Sequence, residues 1–177
     1  MGTSKPNLGH ACRAAAEALC KTKTDLCRKH NGQKNLAPMV HYFLRRHEEG
    51  RVKLLVGPHS AIALAEVLEE IREEGSPELV LVLMDCSYST AVGQTYRRGQ
   101  LAEDFMHNAR SSVKECLAVT GIEARTKRLQ SLFINYKYDE SGLPEFEEVS
   151  SGRTTGDSQL GGIPESLAEY ISSGPGR

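Results

Sequence analysis

Leu79-Val80-Leu81-Val82-Leu83-Met84 is an unbroken apolar run of strand length. A strand with one wet face alternates apolar and polar residues, so a run without alternation must be covered on both faces. Helices on both sides of a sheet are typical of parallel α/β proteins, and a parallel sheet is the first expectation.

The neighbouring segments extend this reading. Val52-Lys53-Leu54-Leu55-Val56, stopped by Gly57-Pro58, has the length and ending of a buried strand. Between the two runs, Leu64, Val67, Leu68 and Ile71 recur at helical spacing, with Glu66, Glu69, Glu70, Glu73 and Glu74 on the other side. Strand, helix, strand in that order predicts a right-handed βαβ unit with strands 52–56 and 79–84 adjacent and parallel. The expected fold is therefore an α/β, Rossmann-like open parallel sheet flanked by helices.

Further helices are predicted at 9–28, at 36–48 between Asn35-Pro38 and Gly50, along the stripe Leu101, Phe105, Ala109, Val113, Cys116 up to Thr120-Gly121, and at 164–172. Arg125 to Tyr138 is predicted as a third strand. Residues 1–35 are expected to form a loosely packed helical N-terminus and 150–162 a mobile loop, with a frayed tail or a cut point at the closing Ser-Gly-Pro-Gly-Arg. A chain of 177 residues fits a single α/β domain over 1–177.

Charge and cysteine usage narrow the setting. A formal net charge of −1 gives no global attraction to nucleic acid or membrane, so any such affinity needs a local patch. No apolar run is long enough to span a bilayer, which predicts no membrane partner. The odd count of five cysteines, with no apolar leader before them, predicts reduced thiols and a cytoplasmic location. The spacing of Cys12, Cys20 and Cys27 lacks any CxxC, and no metal or cofactor is expected.

In an open parallel sheet, ligands gather beyond the carboxyl ends of the strands, which draws attention to two loops. Gly57-Pro58-His59-Ser60 puts a hydroxyl at a helix start, where backbone N–H groups stabilise an oxyanion; Ser60 is a candidate nucleophile there, although serine at that position most often caps the helix. Asp85-Cys86-Ser87-Tyr88-Ser89 is a dense polar cluster directly after an apolar strand. Asp85 suits a ribose or an ammonium group, and equally a turn cap. Arg97, Arg98, Arg110 and Lys114, followed by Arg125, Lys127 and Arg128, form a local basic region suited to phosphate, or a solvated face balanced by Glu103, Asp104 and Glu115.

Taken in order, Val52 to Tyr138 resembles the cyclodipeptide synthases, a family with a Rossmann-like fold related to the class I aminoacyl-tRNA synthetases. The resemblance rests on the Gly-x-Ser-like turn at Val56-Gly57-Pro58-His59-Ser60, the aspartate closing Leu81-Val82-Leu83-Met84-Asp85, Tyr96, the small residues Ala102 and Ala109 with Arg110, and a strand near Asn135-Tyr136. It implies aminoacyl transfer from aminoacyl-tRNA through a serine acyl-enzyme, with Ser60 as acceptor, Gly57, Asp85, Tyr88 and Tyr136 about the substrate, and Arg97, Arg98, Arg110 and Lys114 on a tRNA-holding helix. A working enzyme and a shortened, inactive relative both fit.

Two other readings stand beside it. His59 and Cys86 also look like the dyad of caspase-like cysteine peptidases, since a histidine beside a thiol lowers its pKa and takes its proton. The third is a non-catalytic nucleotide-binding or protein-binding module, because α/β folds host many functions.

Overall fold

The computed structural model describes residues 7–45, 49–56, 60–89, 113–152, 167 and 170, with the side chains of 60–62, 87–89, 113 and 150–152 outside that description. In chain order the elements are α1 (Leu8–Lys29), β1 (Met39–Leu44), β2 (Arg51–Leu54), α2 (Ser60–Glu74), β3 (Pro77–Ser89), β4 (Val113–Glu123), β5 (Arg128–Tyr138), β6 (Pro144–Phe146) and β7 (Ser150–Gly152). They build a seven-stranded sheet in the order β2-β1-β3-β4-β5-β6, with β7 also pairing β5. Every pairing is antiparallel.

The expected Rossmann-like parallel sheet is therefore corrected. β2 and β3 are not neighbours: β1 lies between them and runs antiparallel to both. The helix expected over 36–48 is replaced by β1, whose Val40, Tyr42 and Leu44 are buried while Met39, His41 and Phe43 are half-buried. That period of two is a strand's. Likewise, Cys116 to Gly121 does not close a helix but forms the centre of β4; the upstream part of that expected helix, 101–112, lies outside the described residues.

The apolar run in β3 is covered on both faces, as its composition requires. Leu79, Leu81 and Leu83 pack with Leu117, Val119, Leu132 and Ile134 under α1. Val80 and Val82 face the other way, with Val40, Tyr42, Ile122 and the α2 residues Leu64, Val67, Leu68 and Ile71. Leu167 and Tyr170 join this second layer. Each fully buried leucine is worth roughly 1.5–3 kcal/mol, so β3 carries a large share of the core.

α1 is firmly seated rather than loosely held. Asn7 caps it, its Oδ1 accepting from the His10 N–H at 2.9 Å. Leu8, Ala11, Cys12, Ala15, Ala16 and Leu19 form one buried stripe. The alanines let the helix lie close to the sheet, and Gly121 on β4 makes the closest approach possible. A Cβ there would stand 2.5 Å from Leu81 Cδ2, 2.8 Å from Cys12 Sγ and 2.9 Å from Leu8 Cδ1. Arg28 and Lys29 in the last turn oppose the negative end of the helix dipole.

Candidate functional site

Three arrangements carry chemistry. The first is a buried polar cluster between α1 and the sheet. Lys23 follows the apolar stripe of α1, and Asp85 continues the β3 face that holds Leu79, Leu81 and Leu83. Their side chains are 0% and 1% exposed and meet at 2.6 Å. The Lys23 ammonium also donates to the Lys34 carbonyl at 2.5 Å and to Asn35 Oδ1 at 3.3 Å, which occupies its three donors. Asp85 Oδ2 further accepts from the Leu36 N–H at 2.8 Å, and Oδ1 accepts from the Tyr136 hydroxyl at 2.7 Å. Lys23 Nζ lies 4.8 Å from the Tyr136 ring centre and 5.3 Å from that of Tyr138.

The Lys23 charge is held, not poised. Burial alone would lower the Lys23 pKa, but the hydrogen bond and charge of Asp85, with help from Tyr138, raise it. The Tyr136 hydroxyl is pushed up by burial and by donating to Asp85. An ammonium kept protonated is no nucleophile, and a carboxylate with both oxygens engaged has little left for a substrate. The cluster ties α1, the 34–36 segment, β3 and β5 together.

The second arrangement is a thiol pair on the opposite face. Cys86 and Cys116 are direct cross-strand partners in the β3–β4 register, Cys86 half-buried and Cys116 buried. All five cysteines are free.

The third is the edge formed by β2. Among the described residues β2 pairs with β1 alone, whereas the far edge of β5 is covered by β6 and β7. Arg51 and Lys53 point toward α2: Lys53 Nζ meets Glu70 and Glu74, each at 2.8 Å, and Arg51 meets Glu74 at 2.9 Å. Glu74 also accepts from the Tyr42 hydroxyl at 2.7 Å. Lys53 and then Tyr42 hold the Glu74 carboxyl down to about 2. Alternation sends Val52 and Leu54 to the other face, where they stay 56% exposed, and Val56 beyond them is 81% exposed.

Comparison with protein-family models, curated proteins and solved structures found no match.

Of the residues singled out in the sequence, Asp85, Cys86, Tyr88, Lys114 and Tyr136 lie on neighbouring strands β3, β4 and β5, and Ser60 lies apart on α2. Gly57 and His59, and the basic residues Arg97, Arg98 and Arg110, lie outside the described residues. Ser60 opens α2, with its side chain outside the description. Lys114 is exposed on β4, opposite Tyr88 of β3 in register. Asp85 and Tyr136 do come together, through the 2.7 Å hydrogen bond. Cys86 meets Cys116. Lys23, Cys116 and the β2 edge were not anticipated. Lys23 stands among Lys21, Arg28 and Lys29 and has no local mark of burial beyond its place on the apolar stripe of α1.

Proposed function

We propose that this chain is a protein-binding module that takes an extended segment of a partner onto the β2 edge. The observation that carries it is that β2 is the edge strand among the described residues, with its apolar residues Val52, Leu54 and Val56 turned outward. An edge strand offers a row of unpaired N–H and C=O groups, and strand addition uses that row for affinity and the alternating side chains for specificity. Many edges are protected by an outward lysine, but Lys53 is drawn back onto α2 by Glu70 and Glu74.

The surroundings select the partner's chemistry. Glu66, Glu70, Glu73 and Glu74 share the α2 flank that reaches β2, against only Arg51 and Lys53 from the strand, which leaves that flank acidic. A fitting segment alternates apolar residues, laid beside Val52 and Leu54, with basic residues turned toward α2. Two copies of this chain paired edge to edge would bring two acidic flanks together, which disfavours self-association. Five free cysteines suit a reducing, cytoplasmic setting for such a module.

A labelled peptide of about eight residues alternating valine and lysine tests the reading by fluorescence anisotropy. Binding is expected to weaken with salt, to be lost when glutamate replaces lysine in the peptide, and to fall about fivefold in Val52→Asp, since burying a half-exposed valine is worth about 1 kcal/mol. Equal affinity for the lysine and glutamate peptides, or unchanged binding in Val52→Asp, removes it. A concentration-dependent dimer in sedimentation would point instead to self-pairing.

A further inference from the structure

We propose that Cys86 and Cys116 form a reversible dithiol–disulfide site that takes hydrogen peroxide as its oxidant. The geometry comes from strand register. The two residues stand directly opposite each other on neighbouring antiparallel strands, and opposed residues point to the same face. Directly opposed Cα atoms lie about 4.5 or about 5.5 Å apart, depending on the pair type, and a disulfide accepts roughly 4.4–6.8 Å. Either pair type can close the bond without separating the strands.

The two thiols differ in the way such a reaction needs. Cys86 is half-buried, so a small oxidant reaches it, while Cys116 beside it on the next strand is buried. The Cys116 proton has two acceptors in reach, the Cys86 sulfur and the Leu117 carbonyl oxygen 3.3 Å away. Hydrogen bonding from Cys116 draws the Cys86 thiol below its ordinary range against the opposing effect of burial, and Cys116 is raised by that same bond and then by burial. Burial raises Cys12 to about 11 and also raises Cys20, which leaves both less reactive.

The reaction balances as follows. The Cys86 thiolate attacks one peroxide oxygen and breaks the O–O bond; the other oxygen leaves as hydroxide and becomes water on taking a proton. Cys86 is then a sulfenic acid. The Cys116 sulfur attacks it, giving up its own proton as the S–O bond breaks and a second water leaves. Two thiols and one peroxide become one disulfide and two waters, and a dithiol reductant reverses the change. The bond would fasten the β3 and β4 ends that bracket residues 87–115.

The test uses the full chain, treated with hydrogen peroxide at neutral pH, alkylated after denaturation and mapped by peptide mass. The expected result is one disulfide joining the Cys86 and Cys116 peptides, removed by dithiothreitol, with Cys12, Cys20 and Cys27 still alkylated. In Cys116→Ala the reaction should stop at a sulfenic acid on Cys86 that a dione probe captures. The unaltered chain decides the matter even if that variant misfolds. Oxidation of other cysteines first, a Cys86 sulfenic acid that persists beside Cys116, or no loss of thiols overturns the proposal.

Discussion

Replacing Asp85 with asparagine keeps the side-chain shape and removes one charge from the buried cluster. The Lys23 ammonium, 0% exposed, then loses its counter-charge while keeping the Lys34 carbonyl and Asn35 amide oxygens. Removing one partner of a buried pair costs about 3–5 kcal/mol, a large part of the roughly 5–15 kcal/mol that holds a domain together. With a urea m-value near 2 kcal/mol/M, the midpoint should fall by about 2 M. Lys23→Met should cost somewhat less, because Asp85 still accepts from the Tyr136 hydroxyl and the Leu36 N–H. The double variant should be more stable than the summed single losses imply, by about 2 kcal/mol or more, since it buries no lone charge. Urea titration followed by far-UV circular dichroism measures all four proteins. Single losses below about 1 kcal/mol that simply add would match a solvated surface pair and refute a sealed cluster.

Gly121→Val should push α1 off β4, because even a Cβ meets Leu81, Cys12 and Leu8 inside 3.0 Å; an overpacking loss of about 1–3 kcal/mol or more is expected in the same titration. Glu74, ordinarily near 4.5 and held at about 2 in the fold, contributes stability that is fully present above about pH 4.5 and is lost as pH falls toward 2. The unaltered chain should therefore lose its thermal advantage over Glu74→Gln across that window, and a constant difference would contradict the ion pairs with Lys53 and Arg51.

The sequence carried some of this architecture and misdirected the rest for definite reasons. The stripes of α1 and α2 and the apolar run of β3 follow from residue spacing, and the run's coverage on both faces was correctly implied. What did not follow was strand direction: a central strand sheathed by helices is usual in parallel sheets, but here the N-terminal α1 supplies one cover and α2 the other over an antiparallel sheet. β1 was misassigned although Val40, Tyr42 and Leu44 alternate with Met39, His41 and Phe43, because six apolar or aromatic residues in succession hide the period of two. The partnership of Cys86 with Cys116 depends on the β3–β4 register, and that of Lys23 with Asp85 on how α1 lies over the sheet. Neither is a local property of the chain. The exposure of β2 depends on its being last in strand order, which pairing decides.

Strand addition at β2 is tested most directly by amide hydrogen exchange along the chain with and without the alternating valine–lysine peptide. In the free protein the outward amides of Arg51–Leu54 should exchange rapidly, and the bound peptide should slow them selectively while β3 and β4 change little. Unchanged exchange at 51–54 under saturating peptide, or protection appearing only elsewhere in the sheet, would contradict β2 as the binding edge.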